Sequence, residues 1–436
     1  MTPIKKNFIR KRIFTFQVCI LSFLLNGTSG FSFGVSHLLS KMFFMGIFGK
    51  TKKVPTKKSY NKACDQIPPA TINKLINKSY QLEAEEKEDT FHGLTVFIAD
   101  GTHIILPRTE ETIKKYGLGS GSEGDAYYPQ TESVGFYHLS TGLFENLVSK
   151  NIKTPERQIM QEHAKANRKP TLYVADAGYN GMGHIAIIKK IYGQDILMQL
   201  KMGTAFAKKF MASKKRSKIF EITVTRVHLV NYPQFKHLKG KTIKVRLIRT
   251  RGTNKLKSQI LITTLLNEKE IHWEELALLY LQRYKIELAF RHLKSKIKIE
   301  KIKKKKLQRI EQLLEAAVLL FNISVMLRNV VKRNSLFPEK KGVKVYCLAL
   351  ATDLVPQLIK SFIMNNNKLK EILSNCIIAI RSCFSFNRPW RIAVRICQFP
   401  SSTFTRQKIS RKNIEIAKVE FLKPEYEILG NEYGML

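Results

Sequence analysis

The chain has few acidic residues for its length, and this shortage is its most informative property. Its 436 residues include 34 Asp and Glu against 75 Lys and Arg, which gives a formal net charge of +41. A folded protein with this excess repels itself unless a polyanion lies nearby, and nucleic acids and anionic membrane surfaces are the commonest polyanions. The charge alone does not choose between these two partners, nor does it exclude a packing protein of the ribosomal type.

Cysteine is also scarce. The six cysteines are scattered along the chain and form no C-x-x-C pair, which argues against a zinc ribbon or a redox motif. Their low density provides no disulfide framework. We therefore expect a reducing, cytoplasmic compartment.

Long apolar runs are missing as well. The run from Ile13 to Leu25 follows a basic segment and imitates a signal peptide. It is shorter than the roughly 20 residues that cross a bilayer, and Thr15, Gln17 and Ser22 interrupt it. We interpret it as a buried helix and expect no membrane partner. An exported or membrane-surface basic protein is the alternative.

The N-terminal region, residues 1–89, is predicted to be a helical, basic DNA-binding domain. With 44% hydrophobic residues, the whole chain should fold into more than one domain. The stretch from Thr56 to Leu75 fits two short helices around the break at residues 67–69, with exposed lysines. Such a pair is either a helix-turn-helix or an ordinary helical hairpin.

Residues 90–330 show an α/β pattern. The near-continuous apolar runs LTVFIAD, which ends in Asp100, and TLYVAD, which ends in Asp176, are typical of strands buried on both faces. SVGFYHLS and GLFENLVS between them are predicted to be two further strands. A helix is predicted to begin near Pro155. The order of elements indicates a mixed sheet with flanking helices.

Two regions interrupt or follow this α/β pattern. Alternating segments at about 206–270 predict an antiparallel β insertion. A helix from Trp273 to about Ile297 follows, then a lysine-rich connector and a second long apolar helix. Residues 331–436 are predicted to be mainly helical, with a basic aromatic patch, FNRPWRIAVR.

Three carboxylates are candidates for chemistry. Asp100 and Asp176 at the carboxyl ends of neighbouring parallel strands would lie side by side, where open α/β sheets bind their ligands. Glu287 on the later helix could join them. Three clustered carboxylates repel each other unless a cation lies among them. Hard oxygen ligands favour Mg²⁺ or Mn²⁺, and two such ions would serve an in-line displacement at phosphorus.

The segment YLQRYKIELAFRHLK carries a polar stripe around this glutamate. At about 100° per residue, Tyr280, Arg283, Glu287 and Lys294 fall within an arc of about 60° on one helix face. The stripe is either a row of solvated salt bridges or a set of donors to phosphate oxygens.

The spacing Y-(2)-R-(3)-E-(6)-K of these four residues resembles the signature of bacterial insertion-sequence transposases of the IS-four family. ADGTHIILP at Asp100 and VADAGY at Asp176 extend the resemblance in the same order, over roughly residues 90–330. The resemblance implies a ribonuclease-H-like catalytic core with a DDE acid triad. Asp100, Asp176 and Glu287 would then hold two Mg²⁺ or Mn²⁺ ions.

The resemblance also implies partners and a location. Tyr280, Arg283 and Lys294 would bind DNA phosphates at the terminal inverted repeats of the element, before cut-and-paste strand transfer into target DNA. A homodimer on paired ends and a bacterial, nucleoid-associated location are implied too. Ala177 stands where the family commonly has arginine, and no tryptophan lies in the insertion. The alternative is a non-catalytic, basic nucleic-acid-binding protein with the same fold.

Overall fold

The computed structural model describes residues 13–68, 70–86, 89–121, 124–201, 203–213, 215–250, 259–333, 343–364 and 367–387. The predicted aromatic patch FNRPWRIAVR lies outside these residues from position 388 onward. All structural statements below concern the described residues.

A nine-stranded mixed sheet lies at the centre of the molecule. Its strands are β1 (Thr95–Ile105), β2 (Leu118–Gly121), β3 (Gly124–His138), β4 (Phe144–Asn151), β5 (Thr171–Ala175), β6 (Asp195–Gln199), β7 (Ser217–Thr223), β8 (Thr242–Arg249) and β9 (Ile260–Thr263). They are arranged in the order β2-β3-β1-β5-β6-β9-β8-β7, and β4 pairs with β3. Strand β1 is antiparallel to β3 and parallel to β5, and β5 is parallel to β6. The predicted mixed α/β fold class is confirmed.

The central strands are apolar because both sheet faces are covered. Every residue of β5 and of β9 is buried. Alternate residues of β1 contribute to two different apolar clusters: Ile98 packs in one and Phe97 in the other. Continuous apolar runs therefore predicted β1 and β5 correctly. The prediction from alternation that the insertion strands have one solvated face was wrong for β9, whose residues are all buried.

The insertion continues the main sheet. Strand β7 pairs antiparallel with β8, and β8 pairs antiparallel with β9. Strand β9 also pairs antiparallel with β6. The first predicted strand is shorter than the segment IFEITVTRVHLV, because β7 ends at Thr223 and a 3₁₀ turn follows at Val227–Leu229.

Helices cover both sheet faces. They are α1 (Phe16–Thr28), α2 (Val35–Phe44), α3 (Lys57–Asp65), α4 (Thr71–Glu86), α5 (Glu110–Tyr116), α6 (Glu156–Ala166), α7 (Met182–Ala186), α8 (Ala205–Ala212), α9 (Trp273–Leu281), α10 (Tyr284–Ser295), α11 (Leu307–Arg333), α12 (Leu348–Ile363) and α13 (Leu369–Ser382). Helix α11 is central, since α1, α4 and α12 all pack against it. Near the C-terminal end of the described chain, β10 (Val343–Tyr346) and β11 (Phe384–Asn387) add an antiparallel ribbon to a region predicted to be mainly helical.

The apolar N-terminal run forms α1, and its middle residues from Val18 to Gly27 are buried. Helices α3 and α4 are the two predicted helices on either side of the proline-containing break. Helix α4 packs on α11 and β4, which fits the helical-hairpin alternative better than an exposed recognition helix. The apolar side chains of α1 to α4 share one cluster with β1 and α11. The boundary at residue 89 stays a prediction.

Helix α11 is long and apolar enough to cross a membrane, contrary to the expectation that no such stretch exists. However, 78% of its most apolar window is buried inside the protein, so this property is weak evidence for a span. The core helix of a globular fold passes the same test of length and composition.

Candidate active site

Asp100 and Asp176 lie at one point of the sheet. The parallel pairing of β1 with β5 ends at the partners Ala99 and Ala175, and the two aspartates are the next residue on each strand. The prediction that both strands end there was wrong for β1. Asp100 lies in mid-strand because β1 continues its pairing with β3 as far as Ile105.

Glu287 lies near Asp100 on α10, which packs against β1 through a buried apolar face that includes Ile286 and Phe290. The prediction of one continuous helix from Trp273 was wrong. Helices α9 and α10 are separated by a tighter turn, in which the Arg283 N–H donates to the Tyr280 carbonyl at 3.0 Å. This three-residue hydrogen bond replaces the usual α-helical one.

Arg283, in the turn between α9 and α10, bridges two of the acids. Its Nη2 donates to Glu287 Oε1 at 2.6 Å, and its Nη1 lies 3.9 Å from Asp100 Oδ2. The side chains of Asp100 and Arg283 retain 17% and 22% of their exposure, whereas Glu287 retains 39%. One guanidinium therefore lies between Asp100 and Glu287.

The carboxyl group of Asp100 holds its proton unusually well. Burial raises its pKa to about 7, against the opposing effect of the Arg283 guanidinium, and the nearby carboxylates of Asp176, Glu156 and Glu287 raise it further. Like charges of this kind are stable together only when protons or cations neutralise them. The cluster thus has the electrostatics of a cation site.

Of the other two residues of the predicted stripe, Tyr280 lies near this cluster, whereas the contacts of Lys294 are with His103 and Glu300. Tyr280 is buried, with 7% of its surface exposed, and its hydroxyl donates to Gln199 Oε1 at 3.5 Å. Burial raises the pKa of Tyr280 to about 12, with Arg283 opposing the change. Lys294 donates to the His103 carbonyl at 2.7 Å and lies 3.5 Å from Glu300.

Glu156, the first residue of α6, is a fourth carboxylate that sequence reasoning missed. A Cβ atom on Gly101 would lie 2.3 Å from Glu156 Oε1, so the glycine beside Asp100 leaves room for this carboxylate. Burial raises the pKa of Glu156, although the Tyr179 hydroxyl opposes the shift, and Asp176 raises it further. Pro155 correctly predicted the start of α6. Only the packing of α6 over β1 shows that the Glu156 side chain lies beside Gly101.

Arg157 is a second missed residue, and it holds the loop after Asp176. Its Nε and Nη2 atoms donate to the Gly178 carbonyl at 3.0 and 2.8 Å, while the Gly178 N–H donates to Asp176 Oδ1 at 2.7 Å. Beside them lies a cleft of about 810 Å³, whose far wall includes Tyr232 and Phe235 of the insertion.

The donor chemistry of the acid cluster suits Mg²⁺ or Mn²⁺, because carboxylate oxygens are the ligands these ions prefer. Within the described residues, however, no three acidic, histidine or cysteine side chains are close enough together to hold an ion as they stand. Arg283 lies between Asp100 and Glu287. These carboxylates would close around an ion only after the Arg283 side chain moved away.

Comparisons with known proteins identify the family of the chain. No curated protein matches the sequence. Among solved structures, the chain is similar to one titled "Cryo-EM structure of piggyBac transposase synaptic complex with hairpin DNA (SNHP)", with a TM-score of 0.44 and 8% identity over 83% of this chain and 76% of that one. A similarity this distant carries no argument. The family described as Transposase DDE domain matches residues 91–323, which is more than half of the chain, and the protein therefore belongs to this family.

Proposed function

We propose that this protein is a divalent-metal-dependent transposase of the IS-four family, which cleaves DNA at terminal inverted repeats and joins the ends to target DNA. One observation carries the proposal: Asp100 and Asp176 follow paired residues of parallel strands, and Glu287 lies near enough to raise the pKa of Asp100. Family membership supplies the reaction class.

The topology supports a ribonuclease-H-like core. Strands β4, β3 and β1 form an antiparallel meander, and β5 and β6 continue the sheet parallel to β1. This arrangement, with the insertion between β6 and the glutamate helix, agrees with the core that the resemblance implies. Asp100 and Asp176 lie at the switch from antiparallel to parallel pairing.

In the proposed site, Asp100, Asp176 and Glu287 hold two Mg²⁺ or Mn²⁺ ions. Such ions activate an attacking oxygen and stabilise a leaving one. The protein supplies the three carboxylates from separate segments, and α10 positions Glu287 through its apolar contacts with β1. Asp100 would lose its proton on binding a cation, because the positive charge would offset the burial and the repulsion that raise the pKa of Asp100.

The proposed phosphate ligands are Tyr280, Arg283 and Lys294. Arg283 is hydrogen-bonded to Glu287 and lies near Asp100. A phosphate oxygen is an equally good bidentate partner for its guanidinium. DNA binding would thus draw Arg283 from the carboxylates and leave them free for a cation.

A homodimer on paired DNA ends and a cytoplasmic, nucleoid-associated location belong to the same proposal, and both rest on the resemblance alone.

One observation supports the alternative of a non-catalytic nucleic-acid-binding protein, namely the position of Arg283. An arginine that permanently neutralised Asp100 and Glu287 would exclude metal ions.

Strand cleavage separates the two functions. A supercoiled plasmid that carries the element's ends would be incubated with Mg²⁺ and either the wild type or Glu287→Gln. We expect nicking and linearisation by the wild type and none by the variant, at equal DNA affinity. Equal cleavage by both proteins, or cleavage by neither, would remove the catalytic assignment.

A further inference from the structure

Two sequence features that the proposed function leaves unused meet at one pocket. The Gly/Ser/Phe-rich bend GTSGFSFG connects α1 to α2, and the lysine-rich connector links α10 to α11. The pocket between them has a volume of about 240 Å³. Its lining includes Asn26, Lys303 and Lys304 and the apolar side chains of Phe31, Phe33 and Leu313.

The two walls of this pocket are packed tightly against each other. Gly30 has a left-handed backbone with φ of +64°, and a Cβ atom on it would lie 2.7 Å from the Lys298 side chain. Lys298 is left-handed as well, with φ of 56°. Only glycine allows so close an approach at Gly30. The bend therefore has a fixed position against the connector.

Two lysines give the pocket its charge. Lys304 is half-buried, and burial lowers the pKa of its ammonium group, as does the nearby Arg309 guanidinium. Within the described part of the chain, neither Lys303 nor Lys304 has a carboxylate partner, whereas Lys306 is 2.9 Å from Asp65. A partly buried ammonium without a counter-charge is costly. An anion would relieve this cost.

Two further groups point to a ligand in the same place. Helix α2 begins after Gly34, has no side-chain cap among the described residues and has no acid in its first turn, so its free N–H groups attract anions. The Asn26 side chain is only 3% exposed, and its buried Oδ1 lacks a partner in the described residues. This oxygen is an acceptor, so a water molecule bound beside the anion would be its donor.

We propose that this pocket binds one phosphate group of the DNA backbone through Lys303, Lys304 and the start of α2. The pocket lies beyond the C-terminal end of α10, the helix that carries Glu287 and Lys294. DNA held along α10 would reach it. The assignment of the phosphate to DNA rests on the proposed function, whereas the preference of the pocket for a phosphate does not.

Fluorescence anisotropy with labelled duplex DNA, measured without divalent metal across a range of salt concentrations, tests the proposal. The variant Lys303→Gln/Lys304→Gln is compared with Lys301→Gln/Lys305→Gln, which removes two charges from exposed positions of the same connector. We expect the pocket variant to lose about tenfold in affinity and to reduce the salt slope by about 1 to 2. The control should change less than about threefold. Equal losses in both would overturn the proposal.

A second pair of measurements identifies the source of the phosphate. Inorganic phosphate should raise the thermal unfolding temperature of the wild type above its value in chloride at equal ionic strength, and should not do so for Lys303→Gln/Lys304→Gln. Asn26→Asp, which places a negative charge in the pocket, should weaken DNA binding when measured well below its own unfolding temperature. Stabilisation by phosphate combined with unchanged DNA affinity in both variants would assign the pocket to a free phosphate compound and overturn the DNA assignment.

These experiments measure binding alone. A protein that fails to cleave DNA can still show the expected loss of affinity in the pocket variant. A failure of the pocket is thus distinguishable from a failure of the proposed catalytic function.

Discussion

Two acidic clusters in this protein each contain a carboxyl group whose pKa burial raises to about 7: Asp100 in the candidate active site, and Glu315 on α11. Beside Glu315, Glu311 accepts hydrogen bonds from Lys115 at 2.5 Å and from Tyr116 at 2.8 Å. Glu311 thus has fixed partners from a neighbouring helix. A raised pKa alone does not mark an active site.

The difference lies in where the acids come from. Glu311 and Glu315 are neighbours on one helix, where a spacing of four residues accounts for their proximity. Asp100, Asp176 and Glu287 come from strand β1, the residue after β5 and helix α10, and Arg283 is the cation between Asp100 and Glu287. Carboxylates that are brought together from separate segments repel each other and do not stabilise the fold. Such an arrangement is therefore typical of a ligand-binding site.

The largest expected effect is the loss of chemistry. Asp176→Asn should lower the rate of DNA strand cleavage at least about a thousandfold, because in the proposed site it removes a ligand of the metal ions. Glu315→Gln removes a carboxylate from the other cluster and should stay within about threefold of the wild type. Single-turnover cleavage of an end-bearing duplex measures both rates, and a comparable loss in the two variants would erase the distinction between the clusters.

The basic residues of the two clusters should differ in their effect on DNA. Arg283→Ala should weaken binding about tenfold, uniformly across sequences, and reduce the salt slope by about 1, because one phosphate contact is lost. Lys115→Ala removes an equal charge near Glu311 and should leave affinity almost unchanged. Anisotropy titrations at several salt concentrations provide the comparison. If Lys115→Ala weakened DNA binding more than Arg283→Ala, DNA would bind near Glu311 rather than near Asp100.

The two raised pKa values predict a pH dependence of stability. Burial raises the pKa of folded Glu315 to about 7, whereas the unfolded group releases its proton near its ordinary value of 4.5. Stability therefore falls as the pH rises between these values, since the folded state binds more protons there. Glu315→Gln should raise the free energy of unfolding by about 1 to 2 kcal/mol at pH 8 and leave it unchanged near pH 4.

Asp100→Asn should also raise the free energy of unfolding at pH 8, but only without a divalent metal. Added Mg²⁺ should stabilise the wild type and reverse the order, whereas Glu315→Gln should keep its advantage with or without Mg²⁺. Urea unfolding at the two pH values, with and without Mg²⁺, measures these differences. A stabilisation of Glu315→Gln that is equal at both pH values would show that the raised pKa is not its cause.

The smallest expected effect concerns the approach of Glu156 to β1. Gly101→Ala places a methyl group against the Glu156 carboxylate and should cost about 1 kcal/mol, since the end of a glutamate side chain can shift. Gly203→Ala is the matched control, because no described atom lies within 4 Å of its added Cβ. Thermal unfolding compares the two, and a larger loss for Gly203→Ala would contradict the proposed packing.

The sequence predicted the parts of this fold that depend on local pattern. Continuous apolar runs indicated β1 and β5, and alternation indicated the antiparallel strands of the insertion. The position of Asp100 in mid-strand was not predictable, because it depends on pairing with β3 beyond the end of β5. Helical periodicity likewise missed the turn before Tyr284, which has no proline or glycine to mark it.

Residue spacing predicted only part of the candidate site. The four-residue signature selected Glu287 and its neighbours, but no pattern revealed that Arg283 would lie between two acids. Glu156 and Arg157 were missed since their proximity to Asp100 and Asp176 arises from the packing of α6 over the sheet. Such contacts are long-range, and a single sequence carries no direct signal for them.

Metal-ion specificity of an Asp100→Cys variant tests the central claim most directly. A thiolate is a poor ligand for Mg²⁺ and a better one for the softer Mn²⁺. If Asp100 binds the catalytic ion, Asp100→Cys should lose cleavage in Mg²⁺ and recover a measurable part of it in Mn²⁺, whereas Asp100→Ala should recover nothing. Equal activity of Asp100→Cys and the wild type in Mg²⁺ would contradict the account.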